Sequence, residues 1–432
     1  MNTNNVYKSQ TPGQFPIVAQ QLFNDNASLS ATEKESELRK TCITAVECGF
    51  NLALQGVTSS SITPLLKGMT GTGMKMILGN AQLTEDAHWE SFVEGYKTFP
   101  SLAGWSLARL PQFNQIPTLR DCYNRILAKD PDHFIYMQII EGLSTAYTGN
   151  CNTYLDYLRY LQGNSYYVKD SEGKIDLILQ DEKTSGIKPM IWSNDYNPVS
   201  YNTADAKTIY YASFYKTLRN MRQISLESGH PFWAFCQCEK VQNSSGYRQG
   251  TPASMRLQCY SALAYGAQGL IFSSYQQKNS TNISESPINM SGEKTDMWYT
   301  VRSLISEIRS FTHIFLGGQP VDIRNSGELG IAEFNYGTGD AFGPCYSIAS
   351  GNKSKGILYV LYKNKNRNYL IIVNHDIDSA QEVTLEFSNL WKITEETPLT
   401  IFTANQSTQS TNNGLTVKRT LTPGGWLIFR YE

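Results

Sequence analysis

An α-then-β step repeated along residues 16–312, followed by short strands with no helix between them, predicts a (β/α)8 TIM barrel and then an antiparallel β-sandwich. The step is clearest at 251–276, TPASMRLQCYSALAYGAQGLIFSSYQ. Thr251 and Pro252 open a helix, the GAQG run at 266–269 breaks it, and Leu270, Ile271 and Phe272 form a fully apolar strand. Strands covered by helices read as apolar runs of this kind. Chemistry in such barrels sits at the strand C-termini, so the fold says where to look for function.

The elements follow in order. Residues 16–20 (PIVAQ) are the first strand. Ser30 caps a helix ending near residue 48, with Glu33 at the capping-box position. The second strand covers 49–55, a helix 61–70, the third strand 74–79, a helix 84–96 and the fourth strand 102–107. A helix over 116–129 is stopped by Asp130-Pro131, and the fifth strand takes 133–138. After a helix at 152–161, regularity lapses over 162–186, with a hairpin at 166–168 and 175–179. The sixth strand is 189–192, a long helix covers 203–228, the seventh strand is 231–236 and the eighth 270–272. A Ser/Asn/Gly-rich loop at 276–292 reads as a lid or as padding, and 295–311 is the closing helix. Beyond the GGQP at 317–320 come strand-like runs at 356–362, 368–373, 381–387 and 425–430. These divide the chain into a barrel domain, 1–315, and a sandwich accessory domain, 316–432, in which Trp391 and Trp426 read as core residues.

Composition narrows the function. A net charge of -1 supplies no basic field for nucleic acid or an anionic membrane. No run of 18 apolar residues is present, so no membrane span is expected. The eight cysteines are scattered without a C-x-x-C and read as buried free thiols, and the five histidines are too dispersed for a metal site. Neither a G-x-G-x-x-G nor a G-K-[ST] cradle is found, so no cofactor is expected. The low-charge, Asn/Ser/Thr/Tyr-rich composition leans toward an exported bacterial protein, periplasmic or at the cell surface if a leader has been removed and cytoplasmic if Met1 is native. A monomer or weak oligomer is the expected state.

Polar groups just past the strand ends are amide-rich: Gln20, Gln55, Asn80, Arg109, Gln138, Asn194, Asp195, Gln237 and Glu239. With the aromatic groups Trp105, Trp192, Tyr196, Trp233 and Tyr275, they suit a carbohydrate, whose vicinal hydroxyls bond amides and carboxylates and whose ring faces stack on indoles. Glu239 and Glu141 are the candidate catalytic carboxylates; Asp195 reads as part of a binding turn.

Four stretches carry a family likeness: AGWSL at 103–107 with Asp130-Pro131, WSNDYNPV at 192–199, PFWAFCQ at 231–237, and RLQCYSALAYGAQG at 256–269. Together they resemble TIM-barrel glycoside hydrolases of the Bacteroidales type, distantly related to β-galactosidase-like barrels. The resemblance implies an acid/base Glu at the end of the fourth strand, in an Asp-Glu-Pro step. Here the matching stretch is Arg109-Leu110-Pro111. Glycoside cleavage uses one carboxylic acid and a facing carboxylate, and neither arginine nor leucine supplies one. Two readings therefore stand: a glycoside hydrolase working through Glu239 and Glu141, or a carbohydrate-binding pseudoenzyme.

Overall fold

The computed structural model describes residues 14–24, 28–139, 148–179, 187, 191–194, 196, 198–199, 211–243, 246–277, 283–326, 342–350, 355–397, 407–411 and 414–432. Two compact units form. One comprises Met1–Asn197, Arg219–Gln242 and Gly269–Ser306; the other gathers Pro198–Leu218 and Asn243–Gln268 with Glu307–Glu432.

The first unit holds a closed, all-parallel barrel of eight strands. They are β1 (Ile17–Gln20), β2 (Leu52–Gly56), β3 (Lys75–Gly79), β4 (Leu102–Arg109), β5 (Phe134–Ile139), β8 (Ile191–Asn194), β9 (Phe232–Gln237) and β12 (Leu270–Ser273). Their order around the wall is β1-β12-β9-β8-β5-β4-β3-β2. The helices between them include α1 (Ala31–Cys48), α2 (Ser59–Met69), α3 (Trp89–Tyr96), α4 (Ile116–Lys129) and α5 (Tyr154–Gln162), and the chain goes on to α6 (Tyr211–Ser228), α7 (Pro252–Ala264) and α8 (Asp296–Phe315). A hairpin of β6 (Tyr166–Lys169) and β7 (Ile175–Ile178) lies where the sequence predicts one.

Local chemistry sets the boundaries. The Ser30 side chain and Glu33 form a reciprocal capping box at the start of α1. Gly49 ends that helix at φ 108, its N–H reaching Ala45 O and Val46 O. The left-handed conformation belongs to glycine, so Gly49 is spent on the cap and β2 begins at Leu52, later than the sequence reading placed it. The helix expected from residue 84 starts at Trp89 instead, because Asn80 caps a short 3-10 turn at Ala81–Thr84. Within the 276–292 loop, β13 (Ile283–Glu285) pairs antiparallel with β10 (Lys240–Asn243), so that part of the loop is tied down.

One cluster fills the barrel interior, including Val18, Leu54, Ile77, Phe134, Tyr136, Trp233, Phe235 and Ile271. The Trp233 indole meets the Phe134 ring edge-on with centroids 5.9 Å apart. A Cβ on Gly269 would come within 2.6 Å of that indole, so the second glycine of GAQG makes room for it.

In the second unit two antiparallel sheets have the orders β14-β16-β17-β22-β19 and β15-β18-β21-β20. The strands are β14 (Gln319–Ser326), β15 (Cys345–Ser350), β16 (Ile357–Asn364), β17 (Arg367–Asn374), β18 (Gln381–Ser388), β19 (Ile393–Glu395), β20 (Ser407–Thr411), β21 (Gly414–Leu421) and β22 (Trp426–Tyr431); β11 (Gly246–Gln249) precedes them in the chain. Their inner faces pack Phe342, Ile372, Leu385, Phe387, Val417 and Phe429 into an apolar core. Trp426 is buried, stacked on Tyr260 at 4.2 Å, and donates to Glu307 Oε1 at 3.1 Å. Trp391 is not core: it is 39% exposed and lies edge-on to Tyr431, because it follows the β18 strand end in a surface turn.

All eight cysteines are free and buried. Among the described residues no helix is long and apolar enough to cross a membrane. No group of three or more metal-ligating side chains is present among them either.

Candidate functional site

Strand register decides which polar side chains enter the barrel. In a parallel sheet, partnered residues share a face and alternate along each strand. Phe134 and Tyr136 belong to the interior cluster, so Gln138 continues on the inner face of β5. Likewise Trp233 and Phe235 carry Gln237 inward on β9, and Val18 carries Gln20 inward on β1. Ser193 pairs with both Gln138 and Trp233 and joins them. Ser273 pairs with Gln237.

Strands β1 and β5 stand on opposite sides of the barrel wall. Gln20 Nε2 nevertheless reaches Gln138 Oε1, at 3.5 Å. This long, weak contact spans the axis and confirms that both amides face the lumen. Beneath it Tyr136 donates to Ser193 Oγ at 2.9 Å, and below that the interior is apolar. Gln138 is 3% exposed, and its Nε2 makes no hydrogen bond among the described residues. Buried amide donors are normally satisfied, so a lumen-facing one without a partner marks a place where a ligand or water can bond.

Arg109 reaches the same layer through an irregularity. In β4, Ser106 pairs with Tyr136 and Ala108 with Met137, which leaves Leu107 as an extra residue. A bulge inverts the alternation beyond it. Arg109 therefore pairs with Gln138 and shares its face, and its side chain is exposed at the rim. Leu110, at φ 54, then turns the chain, its N–H bonding Gln138 O at 2.7 Å.

Glu239 lies two residues past β9. It is 6% exposed, and its Oε2 accepts from the Ser274 N–H at 2.8 Å. The carboxylate is thereby fixed at the rim between the ends of β9 and β12 by a charge-assisted bond. Its neighbour Cys238 is buried among sulfur and carbonyl groups, and desolvation pushes its thiol far above the ordinary value, which makes it inert as a nucleophile.

Other predicted residues face the helix layer or brace loops. Gln55 is buried outside the lumen; its Oε1 accepts from Leu22 N–H at 2.8 Å and its Nε2 donates to Gly56 O and Phe23 O. Asn80 accepts from Gln82 N–H and donates to Val57 O at 2.7 Å. Trp105 is fully buried against Phe92 and donates to Asp130 Oδ2 at 2.8 Å. That carboxylate also holds His133 Nδ1 at 2.9 Å. Trp192 donates to Ser228 Oγ at 2.9 Å. Tyr275 packs edge-on to Phe50, and its hydroxyl accepts from Trp298 Nε1. Trp233 lies below the polar layer, in the apolar interior, and Tyr196 is buried. Glu141, Asp195 and the Asn194 side chain lie outside the described residues.

The structure thus brings Gln20 and Gln138 together, sets Arg109 and Ser193 in register with Gln138, and carries Gln237 further along the inner face of β9, with Glu239 at the rim. Sequence reasoning passed over Ser193 and Tyr136; a lone serine between two larger residues in an apolar strand was the available signal. Cavities also lie elsewhere. One of ≈ 190 Å³, lined by Asn51, Thr70, Lys75 and Ser101, opens at the N-terminal end of the barrel strands. That face serves stability in this fold.

No protein-family model matches the chain, and no curated protein matches its sequence. Solved structures do. A glycoside hydrolase family 5 protein from Bacteroides vulgatus ATCC 8482 aligns with TM-score 0.55 and 9% identity over 97% of this chain and 89% of its own. A β-galactosidase from Bacillus circulans sp. alkalophilus aligns with TM-score 0.54 and 9% identity over 97% and 99%. The fold is that of glycoside-hydrolase TIM barrels. A β-galactosidase from the psychrophilic Marinomonas ef1 aligns over 68% of this chain and only 60% of its own, with 9% identity and TM-score 0.45.

Proposed function

We propose that this chain binds a glycan at the C-terminal mouth of its barrel, and that binding rather than cleavage is its principal activity. The observation that carries this reading is the amide contact across the lumen, with Gln138 Nε2 buried and without a partner among the described residues. Amides offer both donors and acceptors, which matches the paired hydroxyls of a sugar. The fold it shares with the glycoside hydrolases supports the same ligand class. Calorimetric titration of the full chain with cello-, laminari- and galacto-oligosaccharides and their uronate counterparts tests it. Binding by at least one of them is expected, and no binding by any would overturn it.

Hydrolysis is the second reading, favoured by one observation: the buried Glu239 carboxylate at the end of β9. It needs a facing acid, for which Glu141 and Asp195 are the candidates. At the fourth strand the matching positions hold Arg109 and Leu110, which is why binding ranks first. An aryl-glycoside screen separates the two. Turnover that Glu239→Gln abolishes would establish the hydrolase, whereas absence of turnover is expected for the binder.

A further inference from the structure

We propose that the glycan held at the mouth is anionic, its carboxylate or sulfate seated between Arg109 and Gln138. This rests on the glycan-binding reading and names the ligand's chemistry. The β4 bulge is the starting point. Without Leu107 as an extra residue, alternation would turn Arg109 to the helix side of the wall, where Trp105 lies. The bulge instead sets Arg109 in register with Gln138, on the lumen face.

Two kinds of donor then share that face. Arginine carries only N–H groups and no acceptor. Gln138 Nε2 is a buried amide donor with no partner among the described residues, while its Oε1 is already engaged, weakly, by Gln20. A neutral hydroxyl can satisfy one such donor well. A carboxylate offers two oxygens in the planar geometry that a guanidinium fits in bidentate fashion, with lone pairs to spare for the amide. A sulfate ester presents the same oxygens. Glu239 stands at the end of a different strand, where its Oε2 accepts from Ser274 N–H.

The test is calorimetric titration of the full chain with tetragalacturonate, with galactotetraose as its uncharged counterpart and with a sulfated galacto-oligosaccharide. Tetragalacturonate or the sulfated ligand should bind about 10- to 100-fold more tightly than galactotetraose, the range a charge-assisted hydrogen bond supplies. Whichever anion binds more tightly identifies the source of the charge. Arg109→Gln should erase the preference without lowering thermal stability, and Arg109→Lys should keep part of it. Equal affinity for charged and uncharged ligands would overturn this proposal and leave glycan binding standing. An Arg109→Gln variant that weakens both ligands alike and unfolds earlier would also overturn it, since that is how a bracing residue behaves. Binding of none of them, with none in the wider panel either, would overturn both readings.

Discussion

The two faces of the barrel wall use the same side-chain types in opposite ways. On the outer side, Gln55 completes its hydrogen bonds with loop backbone, and the Trp105 and Trp192 indoles each find an oxygen in the helix layer. On the inner side, Gln138 is as deeply buried as Gln55 but leaves its Nε2 without a partner among the described residues. The difference teaches that burial alone does not separate a brace from a binding group. Whether the polar atoms are already engaged does, because a satisfied buried amide stabilises the fold and an unsatisfied one costs stability unless something else completes it.

This contrast can be broken at several points. The largest expected effect is on the outer side. Trp192→Ala should remove about 3–5 kcal/mol of stability, measured by denaturant unfolding, because it empties a fully buried indole site. Trp105→Phe removes the N–H to Asp130 and trims a fully buried indole to a benzene ring, at about 2–4 kcal/mol near neutral pH. Burial alone would raise the Asp130 carboxyl, but the hydrogen bonds from His133 and Trp105 outweigh it and hold the group below its ordinary value of 3.8. A depressed folded-state value means this stabilisation is present above pH 3.8 and is lost as pH falls through the folded-state value. The gap between wild type and Trp105→Phe should therefore be full at pH 7 and narrow on acidification below about pH 4 to the packing loss alone, in parallel unfolding curves. Gln55→Leu should cost about 1–3 kcal/mol, since it strands the buried Leu22 N–H.

Much of this architecture is legible in the chain itself. The eight strands, the Ser30–Glu33 cap, the hairpin and the change to antiparallel strands follow from apolar runs and turn residues. The direction of individual side chains is not. Strands buried on both faces carry no polar alternation, so nothing in LALQG says that Leu54 turns inward and Gln55 outward. Trp105 and Trp192 read as rim aromatics for the same reason, though their partners Asp130 and Ser228 lie in the outer layer. The β4 bulge is equally silent, since Leu107 is an ordinary strand residue and only its lack of a partner in β5 reveals the inversion that brings Arg109 inside.

The most direct measurement is Gln138→Leu, a change of similar size at a lumen amide whose Nε2 has no hydrogen-bond partner among the described residues, followed by both unfolding and titration with galactotetraose and tetragalacturonate. If the inner layer exists for a ligand, stability stays within about 0.5 kcal/mol of wild type or rises, while affinity for the bound oligosaccharide falls by roughly tenfold. A variant that loses more than about 1 kcal/mol of stability and binds as wild type does would show that Gln138 is one more brace, and the account of the mouth would fail.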